Sequence, residues 1–323
     1  MKRWMSVTIA VMMLCAMLAG CGQSAAPAAA EEVYQVGIIQ LVTHDALDAA
    51  TQGFQDALVA KLGADKVVFD LQNAAGDSAT CASIANAFVS SEVDLIMANA
   101  TPALQAAVAA TGDIPVLGTS VTEYGVALDI TDFSGTVGGN VSGTSDLAPL
   151  DQQAAMVVEW FPNAKNVGLL YCSAEANSKY QVDTVKALLE EKGINCQLFA
   201  FADSNDMAAV TNAACEFSDV VYVPTDNAVA SGTDVIDGIC RGAGIPIVAG
   251  EEGVCAGCGV ATLSISYYDL GYATGEMAAK ILTGEADIST MPIGYATAFT
   301  PKYNAEICAD LGLTPPEGYS PIG

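Results

Sequence analysis

Residues 219–232 read DVVYVPTDNAVASG, and the fold turns on how they are parsed. Val220, Val221, Tyr222 and Val223 form a short apolar run, the composition of a strand buried on both faces. The run stops at Pro224, and Thr225, Asp226 and Asn227 then offer hydrogen-bonding side chains. A helix-like segment follows, from about 227 to 241. In a parallel α/β sheet, ligands bind beyond the carboxyl ends of the strands, beside helix amino termini. This polar triplet stands at such a place. Asp and Asn are also ordinary helix caps, so the stretch alone leaves both roles open.

The same unit recurs on both sides. Upstream, strands are expected at 33–42, 66–71, 93–98 and 114–118, with helices between them. The first helix carries Leu47, Ala50, Phe54, Ala57, Leu58 and Leu62 at helical spacing, with Asp45 suited to its start. Pro102 opens another. Residues 136–146, TVGGNVSGTSD, break the periodicity and read as a crossing segment. A second series follows: helix 152–160, strand 166–171, helix 179–192, strand 196–201, helix 206–215, the opening stretch, and strand 245–249. Strand 261–266, helix 267–282 and strand 291–298 complete the chain. Alternating strands and helices imply parallel sheets with right-handed crossovers. Most strands end in polar residues: His44, Asn99 and Thr101, Thr119 and Ser120, Asn177, Thr225–Asn227, Glu251. Several polar ends on one sheet edge predict a lined site.

Composition narrows the partners. The 323 residues carry 11 basic and 37 acidic side chains, a formal charge of −26. That balance excludes a nucleic-acid footprint and a polybasic membrane-surface helix. No G-x-G-x-x-G follows a strand, no G-x-S-x-G elbow is present, and His44 is the only histidine. Dinucleotide binding, serine hydrolysis and multi-histidine zinc sites are therefore disfavoured, and no cofactor is implied.

The N-terminus reads as an export signal. Lys2 and Arg3 precede an apolar stretch at 7–18, too short for a comfortable membrane span. Leu18-Ala19-Gly20-Cys21 then resembles a bacterial lipobox, with Cys21 lipidated, and GQSAAPAAA at 22–30 is a flexible tether. The expected location is the outer face of the cytoplasmic membrane, on the cell surface or in the periplasm. Eight cysteines remain beyond Cys21, and an exported compartment permits disulfides among them. Their pairing is open, although Cys255-Ala-Gly-Cys258 reads as a local structural disulfide rather than half a zinc site or a catalytic redox motif.

Eight segments carry a family resemblance: GIIQLVTHDALDAATQGF (37–54), LQNAAGD (71–77), VDLIMANATPA (93–103), IPVLGTSVT (114–122), NVSGTSDLAPLDQQ (140–153), NSKYQVD (177–183), VVYVPTDN (220–227) and YYDLGYATGEMAAKILTG (267–284). The chain resembles the bacterial ABC-transporter solute-binding lipoproteins of the tryptophan/tyrosine-type group, over essentially all of residues 33–314. It departs from the usual pattern in its many cysteines and at Thr43-His44-Asp45, where Glu-His-Pro is more usual. The resemblance implies the type I periplasmic-binding fold: α/β, two Rossmann-like lobes, each a parallel sheet flanked by helices, joined by a multi-crossover hinge. The expected domains are a signal peptide (1–20), lipidated Cys21 and tether (21–32), a first lobe (33–145 plus about 263–289) and a second (146–262 plus about 290–323).

It also implies an amino-acid-like ligand, aromatic in this group, held between the lobes and delivered to an ABC permease in the membrane. A buried ammonium is best met by a carboxylate, and Asp226 is the expected partner, with Thr225 and Asn227 beside it. The carboxylate calls for helix-terminal N–H groups and hydroxyls, with Thr101, Thr119, Ser120 and Ser145 as candidates. Asn177 and Glu251 end strands in the second lobe and face the same cleft. His44 stands equally as a cap or a ligand contact. Tyr124, Phe133 and Tyr268 are the available aromatic walls, each also readable as packing. A ligand-sensing receptor subunit with the same fold is the alternative function, with an exported enzyme behind it.

Overall fold

The computed structural model describes residues 33–322. The expected signal peptide, Cys21 and the tether lie outside them. Two parallel-dominated sheets, each flanked by helices, organise the chain.

The first sheet is built from β1 (Tyr34–Gln40), β2 (Val67–Asn73), β3 (Leu95–Asn99), β4 (Val116–Val121), β5 (Val141–Ser145) and β11 (Gly294–Tyr295). Its order is β11-β5-β4-β3-β1-β2, with every pairing parallel. Between these strands run α1 (Asp45–Leu62), α2 (Ser78–Ser90), α3 (Thr101–Ala110) and the short α4 (Tyr124–Ala127). Strands β3 and β4 are buried along their whole length. That is why they read as apolar runs rather than alternating ones.

The chain then crosses to the second sheet through α5 (Leu150–Trp160). Here β6 (Asn166–Cys172), β7 (Asn195–Phe201), β8 (Val220–Val223), β9 (Ile247–Ala249) and β10 (Ala261–Ser264) alternate with α6 (Ala176–Glu190), α7 (Ser204–Phe217), α8 (Asn227–Ala230), α9 (Thr233–Ala243) and α10 (Glu252–Cys258). After β10 the chain returns to the first sheet as α11 (Tyr267–Leu282) and β11, then crosses a third time to β12 (Thr300–Tyr303), α12 (Ala305–Asp310) and β13 (Ser320–Pro321). The order is β13-β12-β10-β9-β8-β6-β7, and only the β10–β12 pairing is antiparallel.

Several sequence expectations need correction, among them the single helix expected at 227–241, which is broken at Ser231 and Gly232 into α8 and α9. Residues 136–146 contain strand β5, not only a crossing. Its VSGTS composition hides it, and Gly143 (φ +144°) is required because a Cβ there would meet the Gly118 carbonyl oxygen at 2.1 Å. The strand expected at 291–298 shrinks to β11, which pairs with β5 in the first sheet. The third crossing therefore falls at 296–299 rather than near 290. The expected fourth strand, 114–118, runs on to Val121, so Thr119 and Ser120 lie within it. Finally, Cys255 and Cys258 sit together in α10 as free, buried thiols rather than as a disulfide.

Candidate functional site

A cleft lies where the carboxyl ends of both sheets meet. From the first sheet come His44, Ala46 and Leu47 at the start of α1, and Ser120 and Thr122 at the end of β4. Asp146 enters from the first crossing and Tyr267 from the second. From the second sheet come Asn177, Thr225, Asp226, Asn227, Ala230 and Glu251. The two walls are closed on each other: His44 Nε2 stands 3.2 Å from Asn227 Oδ1. The space left between them holds about one water molecule.

Many of these groups are held by the backbone they cap. Asp226 is the N-cap of α8. Its Oδ1 accepts from Val229 N–H at 2.9 Å and its Oδ2 from Cys172 N–H at 2.7 Å. Glu175 accepts from Asn227 N–H, the Asn227 amide, Ala228 N–H and the Asn177 amide, at 2.6–3.2 Å. Glu251 caps α10, accepting from Gly253 N–H at 2.7 Å and from Val254 N–H. The Thr225 carbonyl receives Gln181 Nε2 at 3.0 Å and Asn177 Nδ2 at 3.2 Å. The polar run that ends β8 is thus a frame of short helices and caps, as the cap reading of Asp226 requires.

Other polar atoms have no partner. Asp146 Oδ2 accepts the Tyr267 hydroxyl at 2.9 Å, while its Oδ1 is buried without a hydrogen bond. Ser120 Oγ and Asn177 Oδ1 are in the same condition. Buried polar atoms are rarely left unpaired, and these three line one cleft. Ser120 also holds φ +53°, in the left-handed region that non-glycine residues avoid. Strain of this kind concentrates at ligand sites.

The first turn of α1 adds donors. No side chain caps this helix: its N-cap residue, His44, makes no capping bond. The N–H groups of the first turn therefore have no capping side chain, and Ala46 and Leu47 of that turn line the cleft at the positive end of an 18-residue helix. The turn is pinned from below. Asn99 Nδ2 donates to the Leu47 carbonyl at 2.8 Å and to Thr51 Oγ1 at 3.0 Å, and Thr51 donates to Gln40 Oε1 at 2.7 Å.

The cleft carries acids and no cationic side chain: none of its lining residues is Lys or Arg. Burial pushes the Glu251 carboxyl up to about 7, with the Asp146 charge adding to the rise. Burial also raises Asp146, against the lowering effect of the Tyr267 and Thr122 hydroxyls. Glu175 and Asp226 are raised too, chiefly by burial. Burial lowers the His44 pKa, partly offset by its bond to Asn227. A site of this charge suits a ligand that brings a cation.

The structure brings together seven of the ten residues expected from the sequence: His44, Ser120, Asn177, Thr225, Asp226, Asn227 and Glu251. Thr119, Ser145 and Thr101 do not line the cleft. Thr119 shares a buried hydroxyl chain with Thr144 (3.2 Å) and, beyond it, Thr274 (2.8 Å). Ser145 donates to the Thr122 carbonyl at 2.7 Å and so ties the crossing segment to β4. Thr101 is buried at the start of α3. Tyr124 is core, its ring against Phe133, and Tyr268 is exposed and bonded to Asp56. The aromatic residue in the cleft is the neighbour, Tyr267. Thr122, Asp146 and Tyr267 lie in the segments SVT, TSD and SYYD, where one residue more or less along the chain separates a cleft position from the core.

Known proteins share this sequence family and fold. The family described as ABC transporter substrate binding protein matches residues 35–320. A tyrosine-binding protein from Clostridioides difficile (strain R20291) is 36% identical over 302 residues, spanning 90% of this chain and 87% of that protein. A solved ABC domain in complex with L-Trp from Streptococcus pneumonia superposes with a TM-score of 0.85 at 32% identity, covering 90% of this chain and 100% of that one. The ligand-free, open structure of a Clostridium difficile substrate-binding protein with adhesive properties gives a TM-score of 0.68 at 38% identity, covering 90% and 99%.

Proposed function

The chain belongs to the ABC transporter substrate-binding protein family, and from that premise we propose that it captures an aromatic α-amino acid in the cleft and delivers it to a membrane permease. The observation that carries this reading is the buried, unpartnered Asp146 Oδ1 in a cleft without a cationic side chain. The ligand's ammonium pairs with Asp146, with the Glu251 charge nearby. Its carboxylate sits at the start of α1, on the N–H groups of Ala46 and Leu47 and the hydroxyls of Ser120 and Thr122. This arrangement needs no guanidinium. The ligand side chain runs along Leu47, Ala230 and Tyr267. Its aromatic character is carried over from the relatives, one described as tyrosine-binding and one bound to L-Trp.

Capture works by closure of two lobes, the first sheet with its helices against the second. The fold agrees more closely with the L-Trp complex than with the open structure, although the open protein is the more similar in sequence. That order supports a closed arrangement of the lobes here. A solute enters when the His44–Asn227 contact parts and the walls separate. The protein acts by stoichiometric binding rather than turnover. Export by the segment at 1–20 and a lipid anchor on Cys21 hold it beside its permease at the outer face of the membrane. A thermal-shift screen over amino acids and sugars tests the reading. L-tyrosine or L-tryptophan raises the melting temperature most, since a ligand specific for the folded form stabilises it. Shifts from sugars alone would defeat the reading.

A further inference from the structure

Cys215 on α7 and Cys240 on α9 face each other with their Sγ atoms 3.2 Å apart. Among the described residues this is the pair of sulfurs in direct contact. By contrast, Cys258 donates to the Val254 carbonyl and Cys308 to the Val260 carbonyl. A disulfide bond is about 2.05 Å long, so about 1 Å of side-chain movement joins Cys215 to Cys240. Access is asymmetric: Cys240 is 1% exposed, whereas Cys215 is half-buried. We propose that Cys215 and Cys240 form a structural disulfide when the protein meets an oxidising disulfide outside the cytoplasm.

The bond would close the loop 215–240. That loop contains β8, the cleft residues Thr225, Asp226 and Asn227, and α8. It would fasten the two helices that flank the ligand-holding segment, restricting that segment in the unfolded chain and in local openings. The role is structural, not catalytic, because burial raises both thiols above the ordinary cysteine value and leaves little thiolate. The chemistry is exchange with a low-molecular-weight disulfide. The Cys215 thiolate attacks one sulfur of the reagent and expels a thiolate, giving a mixed disulfide. Cys240, after losing its proton, attacks the Cys215 sulfur and expels the second thiolate. Two protein thiols are oxidised, and one reagent disulfide is reduced to two thiols.

Non-reducing peptide mapping of the whole protein, after incubation with oxidised glutathione or with dithiothreitol, tests this. The expected oxidised form has the Cys215 and Cys240 peptides cross-linked, with two hydrogens lost. It melts several degrees above the reduced form. In Cys215→Ser the cross-link and the melting difference both disappear while Cys240 remains a free thiol. A lasting glutathione adduct on Cys215 beside a free Cys240 would overturn the proposal. So would cross-linking of either residue to another cysteine, or two thiols that stay reduced in the wild-type protein.

Discussion

Asp146 presents one carboxylate oxygen to the Tyr267 hydroxyl and leaves the other buried and unpaired. Asp146→Asn keeps the shape and removes the charge. It is expected to weaken binding of an aromatic amino acid by about 2–4 kcal/mol, roughly 30- to 700-fold, because a buried ammonium loses its counter-charge. Calorimetry measures this directly, and an unchanged affinity would remove Asp146 from the site. Asp226 should behave differently. Both its oxygens already serve backbone N–H groups, so Asp226→Ala is expected to cost about 2–4 kcal/mol of stability through a lost cap and an orphaned Cys172 N–H. If it abolishes binding without lowering stability, the sequence assignment of the ammonium to Asp226 is restored. That assignment followed from a carboxylate placed at a strand end together with the family resemblance; a sequence reveals such a carboxylate but not which of its lone pairs the backbone consumes. Acidity offers a further check at this scale. Glu251, ordinarily near 4.5, is pushed up to about 7 by burial. Between those values the folded state holds a proton that the unfolded chain has lost. The stability it contributes is therefore complete below about pH 4.5 and lost as pH rises through 7, a difference of about 3 kcal/mol. Asp146, Glu175 and Asp226 are shifted in the same direction. The lowered His44 works in the opposite sense, adding stability as pH rises toward 6.5 and no more above it, but it is a single group. The ligand-free protein should thus melt lower at pH 7.5 than at pH 5. The ligand-induced rise in melting temperature should grow over the same window, because the ammonium selects the ionised carboxylates. Melting curves with and without ligand at both pH values check the pair of trends.

Helices α1 and α11 both begin at the cleft, one at His44 and Leu47 and the other at Tyr267, and their mutual packing sets the distance between those walls. They approach closely because glycines face backbone. A Cβ at Gly271 would meet the Ala50 carbonyl oxygen at 1.9 Å, and one at Gly53 the Tyr268 carbonyl oxygen at 2.1 Å. Gly271→Ala is expected to lower stability by about 1–3 kcal/mol as the helices are forced apart. Ligand affinity should fall with it, since Tyr267 moves relative to Leu47; denaturant melts together with calorimetry separate the two effects. A variant as stable as the wild type would show that the contact is looser than described. The face of α11 was legible only in part, since Leu270 is buried but Ala273, Met277 and Ile281, which share its helical spacing, are exposed or half-buried; that of α1 was legible through Leu47, Ala50, Phe54 and Leu58. Strand β5 was not, because its buried face is written in Ser, Gly and Thr around Tyr124 and α11. β12 was also missed: it contains Pro301 and pairs antiparallel near the edge of the second sheet, where a parallel-strand pattern does not apply.

At the scale of the whole molecule, the repeated strand–helix order disclosed two α/β halves, and the polar strand ends disclosed that they face one cleft. The exact crossings were hidden, since residues 265–266 and 296–299 are short and carry no distinctive composition. Closure was hidden as well, because it depends on contacts between residues far apart in the chain, such as His44 and Asn227. A ligand that holds the lobes together should lower the radius of gyration measured by small-angle scattering, and His44→Ala should weaken that response without altering the fold. The central claim is that the cleft recognises the α-amino group of an aromatic amino acid, and calorimetric titration of the wild-type protein with L-tryptophan and L-tyrosine, each beside its analogue lacking the amino group, tests it most directly. Saturable one-to-one binding of the amino acids, with the analogues weaker by 30-fold or more (about 2 kcal/mol), is the expected result; equal affinity for the analogues, or no binding of either amino acid, would contradict it.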